Sequence, residues 1–234
     1  MAKLILIRHG RSRGNANKGI IQGSGPDPAN TLDDLGERQA HRLGQTFADR
    51  EISPAVVWSS PLARARQTCD TALEVMGCKL PVTEDDRLRE MCKGLAGLPG
   101  GMEGRPRGDV ETPQYWLEYK KQGWQFRHGS LQSGGETAEE VGIRTLSAMN
   151  DIADHVGSNA TALVFTHGQA IRFGIGAALD WPDIQQVNTE YMLGNCEGIV
   201  MGRGTRNLSW HVASRIACAG SLNETIIPGS TDRH

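Results

Sequence analysis

Leu4-Ile5-Leu6-Ile7-Arg8-His9-Gly10-Arg11-Ser12-Arg13-Gly14-Asn15 decides how this chain is read. Its four apolar residues do not alternate with polar ones, the pattern of a strand covered on both faces of a sheet. They stop at a cation, an imidazole and a glycine. In open α/β sheets ligands bind beyond the carboxyl ends of strands, so Arg8 and His9 stand where chemistry is expected.

Outward from this strand, the pattern of strand followed by helix repeats. Asp33 reads as the N-cap of a helix whose apolar face carries Leu35, Ala40, Leu43 and Phe47. Ala55-Val56-Val57-Trp58 reads as a second buried strand, with Ser59-Ser60-Pro61 starting a helix toward Met76. Pro81-Val82-Thr83 is a weaker strand candidate. A helix is expected over Gln114–Lys121 and a longer one from Glu136 past Ile152. Thr161–Thr166 is the clearest strand, and His167-Gly168 opens a helix toward Leu179. Two late strands fall at Ile199–Met201 and Leu208–Val212. Between Gly94 and Gly108 lie six glycines and two prolines, so regular structure is not expected there. Strands alternating with helices imply an α/β sheet built from βαβ units.

Composition narrows the class. The 234 residues, 38% hydrophobic with 29 glycines, suit one globular domain, assigned to residues 1–220, with a polar tail over 221–234. Twenty-five basic side chains against 27 acidic ones give a charge of −2, which argues against broad capture of nucleic acid or an anionic membrane. Five cysteines at irregular spacing form no disulfide framework and no zinc knuckle. The four apolar residues before Arg8 are too few for a signal segment, and a cytoplasmic protein is expected.

Three of the strands end in candidate chemistry: Arg8-His9-Gly10, Ser59-Ser60-Pro61 with Arg64 and Arg66 close behind, and His167-Gly168. Two imidazoles and several guanidinium groups at one sheet edge suit a compact dianion such as a phosphomonoester, since guanidinium forks match phosphate oxygens in pairs. The order of motifs resembles the histidine phosphatase superfamily. Arg8 to Asn15 fits its R-H-G-x-[ST]-x-x-N, and Ser59 to Thr68 is similar to its S-x-L-x-R-A-x-Q-T helix. Ile21-Gln22-Gly23 and Leu32 to Ala40 look like its intervening segments. Leu88-Arg89-Glu90, Gly134-Gly135-Glu136-Thr137 and Thr166-His167-Gly168 follow in the family's order.

The resemblance implies a three-layer α/β/α sandwich with a mainly parallel central sheet and a lid-like insertion over about 92–133. It implies His9 as the nucleophile, Arg8, Arg64 and His167 around the phosphoryl oxygens, and Glu90 as the acid on the leaving group. Ser12, Asn15, Gln22, Gly23, Gly168 and Gln169 are the expected substrate-binding residues. The expected activity is hydrolysis of a small phosphorylated metabolite, such as a sugar phosphate, through a phosphohistidine, with no metal and no cofactor. A phosphoglycerate-type mutase is the alternative, and an inactive phosphate-binding module a third reading. No nucleic acid or membrane partner is expected, and a homodimer stays open.

Departures from the family pattern mark where this chain is its own. Gly97 follows Glu90 at seven residues where the family has eight, and Gln169 stands where glycine is common. Arg66 and the five other histidines read as structural. In the insertion, Lys93, Arg105 and Arg107 are candidates for a second anionic group. Tyr115, Trp116 and Trp124 either contact the substrate or anchor the insertion.

Overall fold

The computed structural model describes residues 1–25, 30–204 and 208–217. The tail expected over 221–234, together with Cys218 and His234, lies outside them. Strand β1 (Ala2–Arg8) sits inside a six-stranded sheet with β2 (Val56–Ser59), β3 (Val82–Glu84), β4 (Thr161–Thr166), β5 (Gly198–Arg203) and β6 (Trp210–Ile216). The order is β3-β2-β4-β1-β5-β6, parallel from β3 through β1 and antiparallel at β5 and β6. The unbroken apolar run of β1 is explained by two covered faces. Leu4 and Leu6 pack with Ala162 and Val164 against helices α6 (Ala138–Val156) and α7 (Gly168–Ala178). Ile5 and Ile7 pack with Leu163 and Phe165 against α2 (Asp34–Asp49) and α3 (Ala63–Met76). This is the α/β/α sandwich, with the core divided by the sheet.

Local signals set most helix ends. Asp33 caps α2 through the Gly36 N–H at 2.8 Å, and Thr137 with Glu140 forms a capping box on α6. The start of α3 differs from expectation: the helix opens at Ala63 without a side-chain cap. Ser59 ends β2, and the Ser60 hydroxyl is engaged elsewhere. Gly174 and Gly176 serve contacts with α6 and the insertion, not with the sheet. A Cβ on Gly174 would lie 2.6 Å from the Thr145 methyl, and one on Gly176 would collide with the Trp124 ring.

The insertion carries α4 (Arg107–Val110), α5 (Pro113–Gln122) and a 3-10 turn at Gly123–Gln125. Its aromatics are anchors. Tyr119 and Phe126 join Met91, Val141, Ala170 and Phe173 in one cluster, with Tyr115, Trp116 and Trp124 packed against it. The Trp124 indole also donates to the Pro182 carbonyl at 2.9 Å. The glycine-rich stretch lacks a helix until Arg107, yet it is fastened on both sides. Gly104 N–H donates to the Ile21 carbonyl and Ile21 N–H to the Arg105 carbonyl, both at 3.0 Å. Leu95 N–H donates to the Ser133 carbonyl at 2.9 Å, and the Ser130 hydroxyl to the Pro99 carbonyl at 2.6 Å. Among the described residues no helix is long and apolar enough to cross a membrane.

Candidate functional site

Strand register assembles the site. Arg8 pairs with Thr166 across β1 and β4, and Ser59 with Phe165 across β2 and β4. The next residues of β1 and β4, His9 and His167, therefore emerge side by side, with Ser60, which follows β2, one step behind, opposite Thr166. Their backbones stay paired, with His9 N–H donating to Thr166 O at 3.0 Å and Ser60 N–H to Phe165 O at 2.8 Å.

His9 is buried, and its two ring nitrogens have different partners. Nδ1 lies 2.7 Å from the Gly10 carbonyl, which can only accept, so Nδ1 carries the proton. Nε2 keeps its lone pair, and Arg64 Nε donates to it at 3.3 Å. The peptide that follows the ring is held at both edges: the Gly10 N–H donates to Thr68 Oγ1 at 2.9 Å, and Asn195 Nδ2 to the His9 carbonyl at 2.9 Å. The His167 ring centroid lies 5.0 Å from that of His9. His167 Nε2 sits 2.8 Å from Ser60 Oγ, which already accepts from the Leu62 N–H. The serine proton is then free for Nε2, leaving Nδ1 as the donor. Nδ1 is buried with no acceptor among the described residues. A buried N–H without a partner is costly unless an acceptor arrives.

The cations close around these rings. Arg64 is buried, with a second nitrogen bound to the Gly23 carbonyl at 3.0 Å. Arg8 is tied to the Leu193 carbonyl at 2.5 Å and runs beside Gly168, where a Cβ would stand 3.5 Å from its Nε. Gly168 and Gln169 open α7, whose first N–H groups and dipole favour an anion. Glu90 stands half-buried at the rim of a cavity of about 350 Å³, with Oε1 accepting from the Met91 N–H at 2.9 Å. Arg8, His9, Arg64, Glu90, His167, Gly168 and Gln169 are thus brought to one region. Ser12 and Asn15 are engaged in each other as the capping box of α1 (Arg13–Ala16), and Gln22 accepts from Asn30 at 3.1 Å. Arg66 faces away, bound to Asp70 and Glu84.

Sequence reasoning did not single out four further groups. Arg144 donates to the carbonyls of Arg87 and Arg89, each at 2.8 Å, and of Glu90 at 3.1 Å. Glu136 binds Arg144 at 2.7 Å and the Cys92 N–H at 2.7 Å, so the pair clamps the segment carrying Glu90. Asn195 holds His9 as described. Glu103, in the insertion, is buried against Gly23. Only the Glu136 motif gave any hint, because pairing over such distances has no local pattern.

Charge and burial set the protonation of the rings. His9 and His167 are held well below the usual histidine value, chiefly by burial and next by Arg64. His128, in the insertion, is pushed down to about 3 by burial and by Lys93. The unfolded chain protonates these residues near the ordinary value, whereas the folded chain does not. Their stabilising effect is therefore complete above pH ~6.5 and lost as the pH falls below it. Stability in phosphate-free buffer is expected to fall as the pH drops from ~6 to ~5. Urea midpoints across that range check this, and His128→Gln should lower the slope. A midpoint unchanged down to pH ~5 would exclude buried neutral histidines.

The model of the histidine phosphatase superfamily (branch 1) matches residues 4–210, and the chain belongs to that family. A 2,3-bisphosphoglycerate-dependent phosphoglycerate mutase of Chelativorans sp. (strain BNC1) is 31% identical over 172 residues, covering 72% of this chain and 77% of the relative. A probable phosphoglycerate mutase of Yersinia enterocolitica is 30% identical over 182 residues, 78% of this chain and 77% of its own. Among solved structures, a phosphoserine phosphatase of Entamoeba histolytica in complex with 3-phosphoglyceric acid superposes with a TM-score of 0.72. It is 21% identical and covers 93% of this chain and 98% of its own. A mycobacterial glucosyl-3-phosphoglycerate phosphatase gives a TM-score of 0.71 at 22% identity, covering 90% and 96%. The last two establish the shared fold.

Proposed function

We propose that the protein hydrolyses a phosphomonoester of a small metabolite through a phosphohistidine on His9, without a metal. One observation carries the reading: His9 Nε2, with its lone pair, and the unpartnered nitrogen of His167 belong to rings 5.0 Å apart, with the guanidinium groups of Arg64 and Arg8 beside them. Such an arrangement offers a nucleophile for phosphorus and donors for its oxygens.

In the first half-reaction Nε2 attacks phosphorus in line as the bond to the alcohol oxygen breaks. Arg8, Arg64, His167 and the first N–H groups of α7 hold the three equatorial oxygens, where charge spreads during transfer. Glu90 gives its proton to the departing alkoxide. In the second, water attacks the phosphohistidine, Glu90 takes the water proton, and inorganic phosphate leaves with His9 restored. Charge is neutralised by the guanidinium groups, so no metal is assigned a step.

A mutase remains the second reading, favoured by the names of the curated relatives and by the fastened glycine-rich stretch. That stretch is tied by hydrogen bonds to Ile21, Ser130 and Ser133, and a water-excluding roof suits transfer as well as hydrolysis. Incubation with 3-phosphoglycerate and with a panel of sugar phosphates separates the two. Free phosphate forming faster than 2-phosphoglycerate is the expected result; the reverse order would make the mutase reading the correct one.

A further inference from the structure

Glu103 occupies an unusual place for a carboxylate. It is buried beside an anion-accepting pocket, and its oxygens accept from three backbone N–H groups. These are Ser24 at 3.1 Å, Gly25 at 2.9 Å and Lys93 at 3.0 Å. Its head presses on Gly23, whose carbonyl holds Arg64, and any side chain at position 23 would collide with it. Its charge reaches Arg64: burial pushes that guanidinium down, while Glu90 and then Glu103 act against the shift.

Glu103 does not line the cavity beside Glu90 but stands behind its wall, bound to the backbone of Ser24. Ser24, Arg89, Cys92, Leu95 and Arg144 contribute to that wall. At about 350 Å³ the cavity has room for a metabolite-sized group. Both of its cations are committed. Arg89 binds Asp86 at 3.2 Å and the Ser24 carbonyl at 2.7 Å. Arg144 is held by Glu136 and three carbonyls. The cavity is felt as anionic by the Cys92 thiol, which burial raises and which Glu103 and Glu136 raise further, against hydrogen bonds from Ser24 and Gly94. Of the three cations expected to read a second anion, Arg105 is exposed and the other two are engaged. Lys93 lies 3.7 Å from the buried Glu111, and Arg107 lies 2.6 Å from it.

From this we infer that the cavity takes the alcohol half of the substrate and that Glu103 makes it a charge filter, admitting a neutral, hydroxyl-rich alcohol and disfavouring one with a second anionic group. The inference rests on the hydrolase reading and narrows its substrate class. Arg8 and Arg64 serve one phosphoryl group. A second carboxylate or phosphate would meet Glu136 in the wall and the charge of Glu103 behind Ser24, with both wall arginines committed, and like charges brought together set specificity by repulsion. Hydroxyl groups instead can donate to the carboxylates and accept from the arginines without charge cost.

Matched substrate pairs test it: glucose 6-phosphate against 6-phosphogluconate, and glycerol 3-phosphate against 3-phosphoglycerate. The neutral member of each pair is expected to win by about tenfold or more in kcat/KM, mainly through KM. Glu103→Gln should shrink that ratio severalfold, whereas Glu103→Asp, which keeps the charge, should retain most of it. If Glu103 only fastened the roof, both variants would slow all substrates alike, which overturns the inference. So does a wild-type preference for the anionic members. Hydrolysis of p-nitrophenyl phosphate, measured alongside, reports on the hydrolase reading separately. Should nothing be hydrolysed, calorimetric binding of the same pairs to the His9→Ala protein still reads the filter, and equal or absent binding of the neutral members would refute it.

Discussion

Replacing His9 with alanine is expected to abolish turnover and covalent labelling together, with kcat falling by at least about 10⁴-fold. The expectation comes from how completely the ring is prepared. Its proton is fixed on Nδ1 by the Gly10 carbonyl at 2.7 Å, so the other nitrogen is the nucleophile. Thr68 and Asn195 hold the peptide after His9 and Thr166 the N–H before it, so the ring's aim is set before substrate arrives. Burial and the neighbouring guanidinium groups keep the ring neutral well below the usual histidine range, so no acid limb from His9 should appear near neutral pH. Brief incubation with ³²P-labelled substrate should leave label on the wild-type protein that acid removes and alkali does not, the behaviour of a phosphoramidate. Chelators should have no effect, since Arg8 and Arg64 carry the charge compensation. Retention of more than about a tenth of the turnover by a folded His9→Ala protein would remove His9 from the nucleophile's role.

What could be read in advance is what local pattern controls. The unalternating run at Leu4–Ile7 announced a strand buried on both sides, and Asp33 announced the start of α2. The parallel strands and their helices then brought His9, Arg64 and His167 to one sheet edge, as the motifs implied. The misreadings have long-range causes. Ser60 looked like part of a helix start because its hydroxyl's partner, His167, lies 107 residues away. The glycines from 94 to 108 announce no regular structure, and the hydrogen bonds that hold them come from Ile21, Ser130 and Ser133, none of which marks the stretch locally. Arg107 is the instructive case. It was offered as a cation for substrate, yet Glu111 stands four residues on in α4 and its C-cap, the spacing of a helical ion pair. That pairing is legible in the sequence from its spacing alone.

Glu90→Gln is expected to slow hydrolysis of alkyl phosphates by about 10²–10⁴-fold while affecting aryl phosphates much less. An alkoxide is too basic to leave unaided, whereas an aryl oxide departs without a proton, so only the first needs the acid. The amide keeps the size of the side chain and can still accept from the Met91 N–H, which leaves loss of the proton as the main change. The placement of this carboxyl is not its own doing. Arg144 holds the carbonyls of residues 87, 89 and 90, and Glu136 holds Arg144 and the Cys92 N–H, so the backbone bearing Glu90 is gripped on both sides. Loosening that grip should reproduce the same signature in weaker form, because a carboxyl displaced by an ångström still balances charge but no longer meets the leaving oxygen. Arg144→Lys, which keeps the charge but not the fork of donors, is therefore expected to lower kcat on alkyl phosphates with little change on aryl ones. Equal losses on both substrate types for Glu90→Gln would mean that Glu90 acts on binding or on Arg64, and that the proton for the alkoxide comes from another group in the pocket.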